Sequence, residues 1–240
     1  MALILNLETA TTNCSVSLAK NGKLIAIKEH DTPNYSHSEQ LHLFVQDVVE
    51  EAGVALSDID AVATSKGPGS YTGLRIGVSA AKGLCFSLDI PLISVATLKS
   101  MAHQALKRLE GRTINKVTDR ARKESGMFLI PVLDARRMEV YSAVFDMQGA
   151  QIRETMAEII DVDAFHEYTR EGKTIVVGNG AKKCETLLQH PNFSFETDVV
   201  PSAREMAALS YQKFGSNDFE DVAYFEPYYL KDFILTTKKI

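Results

Sequence analysis

The sequence predicts an α/β fold in two lobes, and three observations carry that prediction. A meander of three short strands opens the chain, helices and strands alternate after it, and part of the same order returns beyond residue 126. Between them lies the stretch Lys66-Gly67-Pro68-Gly69-Ser70-Tyr71-Thr72-Gly73-Leu74-Arg75-Ile76-Gly77, where a short strand at 61–65 enters a tight turn and the turn opens a helix.

The elements follow from local pattern. Residues 2–8 form an apolar run that reads as a buried strand, and Thr9-Ala10-Thr11-Thr12-Asn13 is a hydroxyl-rich turn. Residues 14–19 alternate, with Val16 and Leu18 set against Ser15 and Ser17, and Asn21-Gly22 is a two-residue hairpin signal leading into 23–30. Glu8 and the three threonine hydroxyls leave two readings open: they satisfy the turn's own backbone, or they hold a phosphate or a metal-bound phosphate. Leu41, Phe44, Val45, Val48, Val49 and Ala52 recur at helical spacing and Gly53 ends that helix, with Ser36 and Glu39 as a capping-box pair. His37 and His42 are five apart rather than four, so one helix face does not present both. They read as surface or interface histidines, not a metal pair.

Gly69, Gly73 and Gly77 recur every four residues, which stacks them on one side of a helix. Interior glycine costs roughly 0.5–1 kcal/mol against alanine, so the stack predicts a groove for another backbone, a neighbouring helix or a phosphate. A Walker A loop is excluded, because three residues separate Gly69 from Gly73 and Leu74-Arg75 follows; the dinucleotide fingerprint fails at Thr72. The helix at 72–88 also carries Leu74, Val78, Ala81, Cys85 and Leu88, giving it two contact faces. A strand at 90–95 and a helix at 98–109 follow. Residues 107–124 carry seven positive charges against three negative and few apolar groups, which reads as a solvated linker or a contact for RNA or an acidic partner.

Strands at 127–133 and 140–145 form a second hairpin around Asp134-Ala135-Arg136, which reads either as an exposed charged turn or as a catalytic one. A helical stretch at 162–169, a strand at 173–177, and Gly178-Asn179-Gly180-Ala181 opening a further helix come next. Residues 203–214 form a helix capped by Ser202, and the aromatic tail (Tyr224, Phe225, Tyr228, Tyr229, Phe233) is expected to dock. The expected organisation is one lobe from 1–100 plus 203–240 and a second, degenerate lobe from 101–202, with a basic insertion near 112–126.

Composition narrows the function. The 240 residues are 45% hydrophobic and 24% charged, with a formal net charge of −5, which argues against a free-standing nucleic-acid binder. Three cysteines without a Cys-x-x-Cys spacing suit a reducing compartment. The start of the chain lacks a signal pattern and no stretch approaches the roughly 20 apolar residues of a membrane span, so a cytoplasmic protein is expected. No Ser/His/Asp arrangement of a peptidase can be read from spacing.

The order of elements resembles the actin-like ATPase, hexokinase and Hsp70 superfamily (the ASKHA fold), which duplicates a ribonuclease-H-like unit. More specifically, Leu3-Ile4-Leu5-Asn6-Leu7-Glu8-Thr9-Ala10-Thr11, His37-Ser38-Glu39-Gln40-Leu41, the glycine stretch 67–77, Ala81-Lys82-Gly83-Leu84 and Asp134-Ala135-Arg136-Arg137-Met138-Glu139-Val140-Tyr141 resemble the TsaB (YeaZ) family. That resemblance implies a non-catalytic subunit of the bacterial complex that forms threonylcarbamoyladenosine beside the anticodon of ANN-decoding tRNAs. It implies a heterodimer with the catalytic paralogue TsaD, recruitment of the ATPase TsaE, contact with tRNA through the complex, and a homodimer through the same helices when the partner is absent. In TsaD a His-x-x-x-His pair binds metal; the matching positions here are Thr97 and Met101, so no metal, cofactor or catalytic residue is expected. The family pairing places the partner interface on helices 36–52 and 72–88, with Leu41, Val45, Val48, Gly73, Leu74, Gly77 and Val78 as candidates. An ATP-dependent small-molecule kinase on the same fold, using Glu8 and the threonine turn, is the alternative.

Overall fold

The computed structural model describes residues 1–33, 37–113 and 126–231. Its organising feature is a repeated sheet. In the first, β1 (Leu3–Glu8), β2 (Asn13–Lys20) and β3 (Lys23–Asp31) run as an antiparallel meander, and β4 (Ala61–Gly67) and β5 (Leu92–Ala96) add in parallel on the other side of β1, giving the order β3-β2-β1-β4-β5. The second contains β6 (Met127–Asp134), β7 (Glu139–Asp146), β8 (Gln151–Ile159), β9 (Lys173–Val177) and β10 (Phe193–Glu196). Its order, β8-β7-β6-β9-β10, repeats the first strand for strand, with the same antiparallel and parallel pairs.

Each central strand is apolar on both sides because each sheet is covered on both sides. Leu5 and Leu7 join Val16 and Leu18 beneath α1 (His37–Glu51) and α2 (Tyr71–Leu88), while Ile4 and Ala63 face Ala203 and Met206 on the other side of the sheet. In the second sheet Leu129 and Leu133 pack with Leu98, Met101 and Ala105 of α3 (Thr97–Thr113); Ile130 and Val132 pack with Phe165, Ala181 and Cys184, from around α4 (His166–Glu171) and α5 (Ala181–Leu187). α6 (Ala203–Gly215) returns to the first sheet, its N-terminus capped by Ser202 accepting from the Arg204 N–H at 3.2 Å. All three cysteines are buried and free.

Three local expectations need correction. Local pattern predicts neither β8 nor β10: β8 is a mixed polar edge strand whose register with β7 shifts twice, and β10 has only four residues. The helix expected at 98–109 continues to Thr113, so the first part of the supposed linker is helical; residues 114–125 of the basic segment lie outside the described residues, as does Ser36 of the capping box. His37 is not a surface group: it is buried, and its Nε2–H donates to the Thr11 carbonyl at 2.7 Å. Burial lowers its pKa from the ordinary histidine range, and that hydrogen bond partly offsets the effect. His42 is exposed as expected.

Candidate functional site

The glycine stripe is the first feature to resolve. A Cβ added at Gly69 would lie 2.4 Å from the Ala10 carbonyl oxygen, at Gly73 2.1 Å from that of Thr9, and at Gly77 2.2 Å from Thr9 Oγ1. The close-approaching backbone is therefore this chain's own β1–β2 turn. The Ser70 N–H donates to the Ala10 carbonyl at 2.7 Å, and Ser70 Oγ caps α2 by accepting from the Gly73 N–H at 3.2 Å. α2 is pressed on the threonine turn with nothing between them.

That contact decides most of the turn's chemistry. Glu8 is fully buried, its Oε1 accepts from the Ala10 N–H at 2.7 Å, and burial pushes its carboxyl up to about 7. Thr12 donates to Asp31, and Thr11 Oγ1 accepts from the Asn13 N–H at 3.4 Å. The Thr11 and Thr12 hydroxyls thus serve the turn and its neighbour Asp31, Thr9 Oγ1 has no partner among the described residues and lies against Gly77, and the phosphate reading of the kinase alternative loses its space to α2.

The same holds across the second sheet. Asp134 Oδ1 accepts from the Arg136 N–H at 2.6 Å and from Lys183 Nζ at 2.8 Å, while Lys183 also donates to the carbonyls of Arg137 and Glu139. Arg136 and Arg137 both take positive φ, so the lysine secures a turn of uncommon backbone shape. Asn179 Oδ1 accepts from the Asp134 N–H, bringing the Gly178-Asn179-Gly180 turn onto the same corner. Thr97 and Met101 are buried; Met101 belongs to the core of the second sheet, with its Cε at 2.5 Å from where a Gly178 Cβ would stand. A thioether sealed in a core and a lone hydroxyl do not fit the hard or borderline metal that a histidine pair would hold. No group of three or more His, Cys, Asp or Glu suited to a metal occurs among the described residues.

The seven residues expected at the partner surface are all turned inward. Leu41, Val45 and Val48 of α1 are buried against the first sheet, Leu74 and Val78 of α2 are buried, and Gly73 and Gly77 lie against the turn. The apolar stripe and the glycine stripe are both consumed by the fold, because a helix on a two-layer sheet turns its most apolar side to that sheet. What α1 and α2 present outward is different: Leu43 is 56% exposed and Phe86 85% exposed. Both sit off the core stripes, and that misfit was the available signal in the sequence. The tail does dock through residue 231: Lys82 Nζ donates to the Ala223 and Phe225 carbonyls, and the Tyr229 ring lies 4.9 Å from that of Tyr71. Tyr224 nevertheless stays 83% exposed.

Two covered sheets of identical strand order, joined by long helices, define the actin-like ATPase class of fold. The family model for TsaD, tRNA N6-adenosine threonylcarbamoyltransferase, matches residues 33–233. The tRNA threonylcarbamoyladenosine biosynthesis protein TsaB of Escherichia coli is 30% identical over 95% of this chain and 94% of its own length. By contrast, the tRNA N6-adenosine threonylcarbamoyltransferase of Bacillus subtilis is 36% identical, but over 38% of this chain and 31% of its own. The solved structure of YeaZ from Pseudomonas aeruginosa superposes with a TM-score of 0.74 at 25% identity, covering 96% of this chain and all of that one. The chain belongs to the TsaB family. No helix among the described residues is long and apolar enough to cross a membrane.

Proposed function

We propose that this chain is a non-catalytic cytoplasmic subunit of the machinery that forms threonylcarbamoyladenosine beside the anticodon of tRNA, and that it acts by holding the catalytic transferase paralogue. The observation that carries the reading is the correspondence along the whole chain to TsaB relatives, with the metal-histidine positions filled by Thr97 and Met101. The partner docks on the outer sides of α1 and α2, where Leu43 and Phe86 stand in water with no role in the core. Leu41, Val45, Val48, Gly73, Leu74, Gly77 and Val78 act from beneath, fixing where the two helices lie. The ATPase TsaE joins at that junction, tRNA is reached through the assembly, and a homodimer uses the same face when the transferase is absent.

Reconstituted transfer tests this directly: the transferase, TsaE, tRNA and the threonylcarbamoyl donor are combined with and without this chain. Transfer is expected only with it present, and none from the chain alone. Leu43→Asp with Phe86→Asp should abolish co-elution with the transferase and the stimulation of transfer, while leaving the melting temperature unchanged. Retained co-elution by a folded double variant would remove this face from the assembly.

A further inference from the structure

A cleft of about 550 Å³ opens between the C-terminal half of α3 and the first turn of α6, beside the ends of β2 and β3. Its size is that of a small-molecule site. Glu205 lines it from α6; the residue is 6% exposed, and its Oε2 has no hydrogen-bond partner among the described residues. Gln104 lines it from α3, and its Oε1 is likewise buried and unpartnered. Buried polar atoms are rarely left without a partner, so two of them on residues that line one cleft point to something that supplies one.

The charges around the cleft say what kind. Arg108 is held by Asp198 at 2.8 Å, and Glu29 accepts from the Ser202 hydroxyl at 2.7 Å and faces Arg204 at 3.7 Å. Asp31 takes the Thr12 hydroxyl. What remains is the buried carboxylate of Glu205 and the ammonium of Lys107, which line the same cleft and attract each other, yet form no salt bridge among the described residues. A cation alone would leave Lys107 unmatched and near a like charge, and an anion alone would meet Glu205, Glu29 and Asp31. A molecule with both charges on one short frame matches both walls.

We propose that this cleft binds a free α-amino acid, its ammonium group taken by Glu205 and the Gln104 carboxamide oxygen, and its carboxylate by Lys107. The site is independent of the partner face on α1 and α2 and does not rest on the proposed role in tRNA modification. Thermal shift and isothermal titration calorimetry on the full chain test it, using each proteinogenic L-amino acid at millimolar concentration, with putrescine as a cation-only probe and acetate as an anion-only probe. At least one amino acid is expected to raise the melting temperature and give a saturable heat, and neither putrescine nor acetate should do so. Glu205→Gln and, separately, Lys107→Ala should each weaken that binding by about tenfold or more, the scale of one charge-assisted hydrogen bond. Lys107 is exposed, so its removal leaves a folded protein even where the α6 variant does not. Absence of binding by every amino acid would overturn the proposal. So would binding of putrescine as tight as that of any amino acid, or amino-acid binding that Lys107→Ala leaves unchanged.

Discussion

Glu8 shows how a single side chain couples this fold to pH. Its carboxyl rises from 4.5 to about 7, first because burial strips its charge of water and only then eased by hydrogen bonds from Ala10, Ser65 and Thr9. The folded chain therefore keeps a proton that the unfolded chain releases between these two values. As far as this group is concerned, stability is full at and below about pH 4.5, falls as pH rises through the window, and above 7 carries the whole penalty, on the order of 3 kcal/mol. Glu8→Gln removes the titrating group while its amide oxygen still accepts from the Ala10 N–H. Urea unfolding at the two ends of the window should show stability falling more with rising pH in the parent than in the variant; an equal slope in both would assign the pH dependence elsewhere. Cys14 nearby is pushed up to about 11 by burial and then by Glu8, so its thiol should resist alkylation in the folded protein.

At the scale of the element, α2 offers two glycines with opposite expectations. Gly73→Ala places a Cβ 2.1 Å from the Thr9 carbonyl, where only backbone movement makes room, and should cost about 2–4 kcal/mol. Gly83→Ala meets nothing within 4 Å in the middle of the same helix and should stabilise by about 0.5–1 kcal/mol. Denaturation of the two variants separates a packing glycine from a tolerated one, and equal effects would contradict the assigned turn contact. By the same reasoning, a bulky side chain at Gly77, which the stripe alone suggests would spare the fold and block a partner, should instead unseat α2 from Thr9. The helices and the first meander were legible because their apolar periods are long and clean. β8 was not, since an edge strand half in water carries Arg153, Glu154 and Glu158 where a buried strand would alternate. Its order comes from pairing with β7 and from Arg153, which bridges Glu158 at 2.6 Å and the Ser142 hydroxyl at 2.7 Å.

Across the whole molecule, the end of the chain ties the two sheets together. The Tyr228 N–H donates to the Lys66 carbonyl at 2.7 Å, Arg75 donates to the Tyr229 hydroxyl at 3.2 Å, and Lys231 pairs with Glu139 at the start of β7. The segment passes from the glycine turn of the first sheet to the second. Ending the chain at Pro227 should lower stability by about 1–3 kcal/mol and speed proteolysis between the lobes, whereas Lys231→Ala alone, losing a partly exposed ion pair, should cost under about 1 kcal/mol. Proteolysis no faster in the truncated chain would show that the helices α3 and α6 hold the lobes unaided.

By itself the sequence determined the class of fold and the family, because strand and helix periods, turn residues and the glycine stretch are local properties written in neighbouring side chains. The resemblance it carries implies that Thr97 and Met101 stand at the positions of a metal-binding pair, and residue identity adds that a hydroxyl and a thioether make a poor pair of ligands. Which side of α1 and α2 faces inward was decided by the tertiary structure, for a helix with an apolar stripe and a glycine stripe offers two faces and only the sheet and the threonine turn choose between them. The strand-for-strand repeat of the second sheet, the burial of Glu8, and the meeting of Glu205 with Lys107 across one cleft depend likewise on contacts between distant parts of the chain, which no local pattern records.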